Sequence, residues 1–467
     1  MTLPALEETP IPGLVVVRLD RRDDARGFFK ENWQREKMLA IGLPDFGPVQ
    51  NNVSFNGDRG VTRGIHTEPW DKFVSLATGR IFGAWVDMRE GDSFGATFTL
   101  DMDTSVAVFV PRGVGNSYQT LEDATAYTYL VNEHWRPTAS YPALSLDDPT
   151  VAIAWPIPLS EAIISEKDQH NPTLDPTTAI APKRTLVLGA GGQLGRAFAE
   201  AFPHADTRTR AELDVTDAEA VASFGWHEYA VVLNAAAYTA VDAAETAEGR
   251  RAAWAANAAA PAVLAGLARE HGFTLVHFSS DYVFDGTAPL DGPGHDEDEP
   301  LSPLGVYAQT KAAGDVAVSL APRHYVLRTS WVIGDGKNFV RTMQSLAEMG
   351  VSPSVVDDQV GRLTFTDELV RATRHLLDSG ADSGTYHLSN GGPAMSWREI
   401  AQAVFERSGR SAGDVSGTST EAYAEGVRSQ GNPFAPRPLN SAMSLAKIRA
   451  TGFEPEDAMT ALDRYLS

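Results

Sequence analysis

Short apolar runs dominate the first 170 residues of the chain. Hydrophobic and polar positions alternate within these runs, and turn-forming stretches such as Asn56-Gly57-Asp58 and Pro111-Arg112-Gly113 separate them. Many short strands at regular spacing, with few helical stretches, are typical of a sandwich, jelly roll or barrel. We expect one main helix, over residues 31–41, and strands over residues 13–19, 73–76, 80–88, 96–100, 107–110 and 126–132.

A second pattern begins at residue 184. Short apolar runs alternate there with longer helical stretches, which predicts a parallel sheet covered by helices on both faces. Residues 171–183 contain three prolines and little periodicity, as a semi-extended linker would. We therefore expect domains over residues 1–170 and 184–467. Strands are predicted at residues 185–188, 230–234, 274–279 and 324–328, and helices at residues 195–202, 217–224, 252–270 and 307–319.

Composition and charge narrow the functional classes. Hydrophobic residues make up 43% of the 467 residues, which excludes a largely disordered chain. Cysteine is absent, so disulfides, thiolate metal sites and cysteine nucleophiles are excluded, and a reducing cytoplasm is favoured. A formal net charge of −22 argues against binding to nucleic acid or to an anionic membrane surface. We expect neither a signal peptide nor a membrane span.

A glycine-rich turn follows the first strand of the second pattern. Residues 185–195 read Thr-Leu-Val-Leu-Gly-Ala-Gly-Gly-Gln-Leu-Gly, with glycines at 189, 192 and 195. Glycine allows a tight turn and a close approach of backbone to a pyrophosphate, and the N-terminus of the next helix attracts phosphate. The strand before the turn and the helix after it favour a dinucleotide site over a plain glycine-rich turn.

Three further residues have the spacing of an acid–base site. Ser280 follows a strand end, where ligands gather in open α/β sheets. Tyr307 and Lys311 lie four residues apart, on one face of a predicted helix. A nearby ammonium favours phenolate, so we expect Lys311 to lower the pKa of Tyr307 from its usual value of about 10. A Tyr-x-x-x-Lys spacing alone is frequent by chance, but downstream of the glycine-rich turn it predicts carbonyl reduction.

Residues 184–465 resemble the extended short-chain dehydrogenase/reductases and, among them, the dTDP-4-dehydrorhamnose reductases. The glycine-rich turn, Ser280-Asp-Tyr-Val-Phe-Asp-Gly286 and Arg437-Pro-Leu-Asn-Ser441 carry this resemblance. It implies a Rossmann-type doubly wound sheet, a small substrate-binding lobe from about residue 335, and catalysis by Ser280, Tyr307 and Lys311. The implied substrate-binding residues are Tyr282, Trp331, Arg437 and Asn440. The implied cofactor-binding residues are Gly189, Gly192, Gln193, Leu194, Gly195, Asp214, Val215, Ala235, Ala236, Tyr307 and Lys311.

The choice of cofactor depends on the end of the second strand of this domain. A 2′-phosphate needs basic residues there, and Arg208 and Arg210 are suitably placed in the sequence. No clear acidic residue for an NAD ribose stands at that strand end. NADPH is therefore the expected cofactor, and NADH remains possible.

Three stretches of the first domain, at residues 24–31, 61–66 and 165–168, contain polar residues that a plain barrel does not require. Through them, residues 10–175 resemble the dTDP-4-dehydrorhamnose 3,5-epimerases, which are cupin jelly rolls. Their chemistry needs a base beside a ketone, a group that holds the enolate oxygen, and an acid on the opposite face. By resemblance, His66 is the base, Asp168 fixes its tautomer, Lys72 stabilises the oxyanion and Tyr129 returns the proton. The residues implied to hold the nucleotide are Arg26, Glu31, Gln50 and Arg63.

Three further features of the first domain bear on its activity. Asn116 stands where the family usually has a second histidine, and it can form hydrogen bonds but cannot titrate. Trp135 fits an aromatic position of the family two residues before Pro137. No His-x-His sequence occurs in the first domain, so we expect no metal.

The two resemblances name consecutive steps of dTDP-L-rhamnose biosynthesis. We therefore expect a bifunctional enzyme, both isomerase and oxidoreductase, that acts on a dTDP-4-dehydro-6-deoxyhexose in the cytoplasm. A homodimer through the cupin domain is also expected. Two alternatives stay open, namely a reductase whose cupin is impaired or only binds nucleotide, and a non-enzymatic dinucleotide-binding regulator.

Overall fold

The computed structural model describes residues 3–134 and 141–467, so Trp135 lies outside the described residues. The chain forms two compact units, Met1–Pro182 and Lys183–Ser467. None of the helices in these described stretches has both the length and the apolar character needed to cross a bilayer.

The first unit is built from two β-sheets. One has the strand order β1-β2-β10-β7-β12-β5 and the other β13-β6-β11-β8-β9, while β3 and β4 form a separate hairpin. A short helix, α1, spans Arg35–Ala40. Strands β1 to β13 span, in chain order, Ala5–Glu8, Val15–Arg18, Arg21–Asp24, Gly27–Lys30, Gln50–Asn56, Val61–His66, Lys72–Thr78, Ile81–Asp87, Thr97–Met102, Val106–Val110, Val114–Thr120, Thr125–Val131 and Ile163–Ile164.

Apolar side chains from the two sheets meet in one core. Val74 and Val108 come from the six-stranded sheet, and Trp85 and Val114 come from the five-stranded sheet. All four are almost fully buried. Packing between two mainly antiparallel sheets produces the cupin jelly roll that the resemblance implied.

The polar strands β5, β6 and β11 were not among the predicted strands. Strand β5 reads Gln-Asn-Asn-Val-Ser-Phe-Asn and β11 reads Val-Gly-Asn-Ser-Tyr-Gln-Thr, so neither resembles an apolar run. The predicted helix over residues 31–41 begins later, at Arg35, because the Gln34 side chain accepts a hydrogen bond from Lys37 N and caps it.

Residues 171–182 form hydrogen bonds with the rest of the first unit. Ser145 N donates to Pro172 O at 2.7 Å and Ile180 N donates to Met88 O at 2.7 Å. Arg112 Nη1 donates to Ala181 O at 3.0 Å. This proline-rich segment is therefore fixed by hydrogen bonds along that unit.

The second unit contains a parallel sheet of order β15-β14-β16-β17-β18-β23. Strands β14 to β25 span Arg184–Leu188, Asp206–Arg208, Tyr229–Asn234, Thr274–Ser280, His324–Thr329, Val332–Ile333, Ser354–Val356, Val360–Gly361, Thr364–Phe365, Gly384–Leu388, Met395–Ser396 and Ser416–Thr418. Helices α2 to α12 span Gln193–Ala201, Ala218–Ser223, Ala247–Trp254, Ala260–His271, Val306–Val318, Phe339–Glu348, Thr366–Ser379, Trp397–Arg407, Thr420–Ser429, Ala446–Ala450 and Ala458–Leu466.

Helices cover both faces of this sheet. Phe198 of α2 and Leu369 of α8 pack in one apolar cluster with the sheet, and Leu264 of α5 and Val318 of α6 pack in another. The chain passes from β14 to β15 and then returns to β16 on the other side of β14. This reversal of strand order is where open α/β sheets bind ligands. The predicted Rossmann-type fold is confirmed.

The helix predicted over residues 252–270 differs in detail. It begins at Ala247, because the Thr246 hydroxyl accepts a hydrogen bond from Gly249 N at 3.0 Å. A π-helical segment, Ala255–Ala259, separates α4 from α5. Within it, the buried Asn257 side chain accepts from Tyr238 N and donates to Tyr238 O, so the irregular turn fixes the loop after β16.

A smaller lobe is formed mainly by chain beyond residue 331. Its core joins α7, α9 and α12 through residues such as Val340, Phe405 and Leu462. Short paired strands, among them β20 with β25, complete it. This is the lobe that the reductase resemblance implied.

Candidate active sites

The first unit holds a cavity of about 160 Å³ between its sheets. His66 ends β6 of one sheet, whereas Lys72 begins β7 and Tyr129 lies on β12 of the other. The structure thus brings these three predicted residues to one cavity from two sides. Its lining residues are Ser54, Arg63, His66, Glu68, Lys72, Asn116, Tyr118, Tyr127 and Tyr129.

His66 is paired with Asp168 as the resemblance implied. His66 Nε2 lies 2.7 Å from Asp168 Oδ1, and Gly64 N donates to Asp168 Oδ2 at 3.4 Å. Asp168 is 5% exposed. Burial raises the pKa of Asp168, but the hydrogen bond from His66 and its charge, with the Gly64 N–H and Ser165, lower it further than burial raises it. A charged Asp168 therefore holds a proton on Nε2 and leaves Nδ1 of His66 as the basic nitrogen.

Lys72 and Tyr129 complete the predicted catalytic set. Lys72 is buried, pairs with Glu68, and its ammonium lies 5.7 Å from the centre of the Tyr129 ring. Burial and the Glu68 charge raise the pKa of Tyr129. The phenol is consequently protonated at neutral pH, which is the form that an acid requires.

Asn116 is built into the wall of this cavity. Trp85 Nε1 donates to its side-chain oxygen at 3.0 Å, and the Tyr127 hydroxyl donates to the same atom at 3.2 Å. Asn116 is also the cross-strand neighbour of His66. Because an indole N–H can only donate, the amide oxygen of Asn116 must face Trp85.

Of the four residues predicted to bind the nucleotide, only one lines the cavity. Arg63 lines the cavity, and its Nε donates to Asn56 Oδ1 at 3.0 Å. Arg26 is exposed in the β3–β4 hairpin beside Asp24. Glu31 pairs with Lys37, and Gln50 Nε2 donates to Asn52 at 2.8 Å, so neither belongs to the cavity lining.

Sequence reasoning missed Glu68. It occupies the cavity between the predicted base and the predicted oxyanion group, and it pairs with Lys72. A signal was present, since Glu68 stands two residues after His66 and four before Lys72. A carboxylate at that position brings a negative charge to Lys72 and to two of the three cavity tyrosines, Tyr127 and Tyr129.

The second unit has a cavity of about 310 Å³ at the reversal point of its sheet. The glycine-rich turn forms one wall, and a Cβ at Gly195 would lie only 2.2 Å from Gly189 O. Gly189 has a φ of +74° and also contacts the backbone at Ala236. The lining residues are Gly189, Gly191, Gly192, Arg210, Leu213, Asp214, Val215, Thr216, Ala235, Ala236, Ala237, Tyr238, Ala252, Ala255 and Ala256.

Most predicted cofactor residues surround this cavity or support it. Gly192 precedes the first turn of α2, whose N–H groups face an incoming anion. Gln193 Oε1 accepts from Gly334 N at 2.9 Å, and Leu194 packs into the sheet core, so these two support the turn from behind. This arrangement of bare backbone, small side chains and a helix N-terminus fits a dinucleotide pyrophosphate.

Only one of the two arginines expected near a 2′-phosphate lines the cavity. Arg210 is exposed at the cavity rim, where its Nε lies 3.0 Å from Asp214. Arg208 instead lies over the Phe224 ring, 5.6 Å from its centre. The cavity therefore offers Arg210, and not Arg208, to a phosphate.

Ser280, Tyr307 and Lys311 come together at the carboxyl end of β17. The Ser280 hydroxyl donates to Asp281 Oδ1 at 2.8 Å. A hydrogen bond between Ser280 and the Tyr307 hydroxyl also favours the phenolate form of Tyr307. Lys311 is buried in α6, and its Nζ donates to Phe278 O at 2.5 Å. The helix thus presents the phenol and the ammonium beside the strand end that carries the serine.

The expected effect of Lys311 on Tyr307 is wrong for this structure. Burial, followed by the charge of Asp281, raises the pKa of Tyr307, and only the Ser280 hydroxyl opposes this rise appreciably. The Lys311 ammonium is directed at Phe278 O and does not counter the desolvation of the phenol. Tyr307 is consequently held as a neutral phenol, which still suits proton donation.

The four residues predicted to bind the substrate make different kinds of contact in the structure. Tyr282 lies edge-on to Tyr307 with ring centres 6.1 Å apart, and Arg437 pairs with Asp242 at 2.8 Å. Trp331 has a φ of +45° and stacks on a second indole, Trp397, at 3.7 Å. Asn440 is buried and donates to Ala288 O at 2.9 Å, so its amide serves to fix loops.

Comparison with known proteins assigns each half of the chain. Residues 8–176 match the family described as dTDP-4-dehydrorhamnose 3,5-epimerase, and residues 183–467 match the family described as RmlD substrate binding domain. Over 180 residues the chain is 44% identical to the protein RmlC homolog of Streptococcus pyogenes serotype M6, covering 37% of this chain and 90% of that protein. Over 287 residues it is 37% identical to the dTDP-4-dehydrorhamnose reductase of Mycolicibacterium smegmatis, covering 59% of this chain and 82% of that protein.

A solved structure supports the second assignment. The crystal structure of dTDP-4-dehydrorhamnose reductase from Bacillus anthracis in complex with NADP matches with 31% identity and a TM-score of 0.55, over 61% of this chain and 98% of that one. Both predicted resemblances are therefore confirmed. The chain belongs to the dTDP-4-dehydrorhamnose 3,5-epimerase family over residues 8–176 and to the RmlD family over residues 183–467.

Proposed function

We propose that this chain catalyses two consecutive steps of dTDP-L-rhamnose biosynthesis. It epimerises dTDP-4-dehydro-6-deoxy-D-glucose at C3 and C5, and it then reduces the C4 ketone of dTDP-4-dehydro-L-rhamnose. The observation that carries this proposal is the joining of the two families in one chain, since the product of the first reaction is the substrate of the second. Each half also presents the side chains that its reaction requires.

In the first step, His66 removes the proton next to the ketone. Its Nδ1 acts as the base, because Asp168 holds the proton on Nε2. The electron pair of the broken C–H bond moves to the ketone oxygen, where the Lys72 ammonium stabilises the enolate. Tyr129, supplied by the opposite sheet, gives its hydroxyl proton to the carbon from the other face. His66 then releases its proton to solvent and Tyr129 regains one, and the same exchange at the second carbon completes the double inversion.

In the second step, bound NADPH supplies the hydride for C4. The residues of the glycine-rich turn and the N-terminus of α2 hold its pyrophosphate, and Arg210 meets the 2′-phosphate. Ser280 orients the ketone by a hydrogen bond, and Tyr307 donates its proton to the alkoxide oxygen as the C–H bond forms. Lys311 holds the nicotinamide ribose beside Tyr307. Residues Tyr282, Trp331 and Arg437 contact the sugar nucleotide.

An exposed strand of the first unit supports the proposed homodimer. Strand β5 is an edge strand, and Val53 and Phe55 on its outer side are 66% and 64% exposed. An edge strand that exposes apolar side chains invites pairing with a second chain. We assign the homodimer interface of the cupin to this strand, the epimerase to residues 1–170 and the reductase to residues 184–467.

The absence of cysteine and the use of a nucleotide sugar favour the cytoplasm as the compartment.

The purified protein, dTDP-4-dehydro-6-deoxy-D-glucose and NADPH test this function together. We expect oxidation of NADPH, followed at 340 nm, with formation of dTDP-L-rhamnose. Failure that is rescued by a separately added 3,5-epimerase identifies a reductase with an inactive cupin. Failure that is not rescued contradicts the reductase assignment, and a Tyr307→Phe variant with full turnover contradicts the proposed role of Tyr307.

A further inference from the structure

A buried ion pair lies behind the proposed catalytic lysine. Asp315 follows Lys311 by one turn of α6, so the two side chains share a face of that helix. Arg328 of the neighbouring strand β18 donates from Nε to Asp315 Oδ2 at 2.9 Å, and the two side chains are 6% and 3% exposed. Lys311 is itself only 2% exposed. Burial raises the pKa of Asp315, and the charge of Arg328 with the hydrogen bonds from Ser279 and Arg328 opposes that rise. A buried carboxylate is therefore fixed one helical turn from the ammonium.

Arg328 is held in place independently of Asp315. Its Nη1 donates to Glu297 O at 3.1 Å, and its guanidinium lies 5.2 Å from the centre of the Phe284 ring. These contacts fix the fork that binds the carboxylate. The position of Asp315 is consequently determined from the sheet as well as from its own helix.

The surroundings of Lys311 leave Asp315 as its main source of electrostatic support. Burial lowers the pKa of Lys311 to about 8, and the charge of Asp315 acts in the opposite direction. His277 faces Lys311 from β17 and remains neutral, because burial and then the ammonium lower its pKa well below the usual range. Titratable or charged groups stand on each of the described elements beside Lys311, namely His277 and Asp281 at β17, Tyr307 and Asp315 on α6, and Arg328 on β18, and Asp315 is the one whose charge acts on the pKa of Lys311.

We propose that Asp315, held by Arg328, is a positioning residue of the reductase site that acts on catalysis through the charge of the Lys311 ammonium one helical turn away. One N–H of the ammonium is used by Phe278 O, which leaves two for the nicotinamide ribose and Tyr307. The effect on turnover rests on the proposed function, whereas the effect on Lys311 itself does not.

The titration of Lys311 provides a test without cofactor or substrate. In Asp315→Asn, the amide oxygen still accepts from Arg328, but the negative charge is gone. NMR of the full chain labelled with 13C at lysine Cε, with the Lys311 signal identified by its absence in Lys311→Gln, follows the ammonium directly. We expect titration near pH 8 in the wild type and about one pH unit lower in Asp315→Asn.

The pH dependence of reduction provides the second readout. An ammonium is lost as the pH rises through its pKa, so a lower pKa moves the alkaline fall of kcat to lower pH. At pH 8 we expect roughly a fivefold loss of kcat in Asp315→Asn, with little change at pH 6.5, and recovery in Asp315→Glu. Glu368→Gln is the matched control, because Glu368 is likewise a buried carboxylate paired with an arginine, Arg371, but lies in α8.

The outcomes separate the inference from its alternatives. Unchanged titration of Lys311 in Asp315→Asn, or an equal loss of kcat at every pH, overturns the proposal and leaves a purely structural ion pair. A shift of the same size in Glu368→Gln also overturns it. Asp315→Ser, a smaller neutral variant, carries the same prediction if Asp315→Asn does not fold. An inactive wild type in which Lys311 titrates as expected contradicts the proposed function and not this inference.

Discussion

Substitution of Gly195 by alanine tests how closely the glycine-rich turn packs against α2. A Cβ at this position would lie 2.2 Å from Gly189 O and 2.7 Å from Ala190 Cα. Both are backbone atoms, so no side-chain rotation relieves the contact. The turn and the helix must instead move apart, and this turn is the one that we propose holds the pyrophosphate.

The size of the effect follows from these distances. An ordinary contact begins at 3.4 Å, so the backbone has to move by about 1 Å. Overpacking of this kind costs roughly 1–3 kcal/mol, whereas alanine gains about 1 kcal/mol over glycine inside a helix. We expect a net loss of up to about 2 kcal/mol and a fall in Tm of roughly 4–8 °C. Displaced phosphate-binding N–H groups weaken NADPH binding by about 10- to 100-fold, or about 1.4–2.7 kcal/mol.

Gly266 offers a matched control in the same unit. It lies inside α5, and apart from its chain neighbours and the nearby backbone of that helix, no atom of the described residues comes within 4 Å of a Cβ added there. Gly266→Ala should therefore stabilise the protein by about 0.5–1 kcal/mol, the opposite sign to Gly195→Ala. Two glycine-to-alanine changes in helices of one unit are thus predicted to differ only because of the backbone that each Cβ would meet.

Thermal unfolding of the full chain, with and without NADPH, measures both variants. The transition that NADPH raises in the wild type reports on the reductase half. Fluorescence titration gives the affinity for NADPH. Wild-type affinity in Gly195→Ala, together with a rise in Tm like that of Gly266→Ala, would refute the reasoning.

Three further predictions concern the two sites and the assembly. Tyr307→Phe should lower kcat for reduction by about 10²- to 10⁴-fold while NADPH affinity is retained, and a loss confined to NADPH affinity would contradict its role as acid. Asp168→Asn should reduce the epimerisation rate in assays with excess reductase. Because the pKa of Asp168 is lowered, its contribution to stability is present above about pH 4 and lost as the pH falls through the folded value, so this variant should also show less acid destabilisation than the wild type. Val53→Asp should shift the sedimentation coefficient of the full chain from dimer to monomer, and an unchanged dimer would place the interface elsewhere.

Several parts of the two sites could be predicted from short stretches of the sequence. The glycines at 189, 192 and 195 predicted a turn in which a side chain would meet backbone, and the structure has that packing. The four-residue spacing of Tyr307 and Lys311 placed both on one face of α6, because helical periodicity alone determines it. His66 and Asp168, although 102 residues apart, were paired only through the family resemblance.

Other features depend on tertiary surroundings that spacing does not encode. The pKa of Tyr307 rises because burial and the charge of Asp281 outweigh the Ser280 hydroxyl, and neither burial nor the direction of Lys311 can be read from a Tyr-x-x-x-Lys sequence. Strand β11 was missed because its polar residues face partners on other strands, as Asn116 faces Trp85. Arg208 and Arg210 are two residues apart, yet only Arg210 reaches the cavity.

A single reaction in D2O shows whether this one chain carries out both epimerisation and reduction. Each epimerisation replaces a carbon-bound hydrogen by one from solvent, and reduction by unlabelled NADPH then fixes the sugar as dTDP-L-rhamnose. Mass spectrometry and NMR of the product from this protein alone should show deuterium at both C3 and C5. Deuterium at one carbon would indicate single epimerisation, and its absence from both, with no L-rhamnose formed, would contradict a bifunctional enzyme.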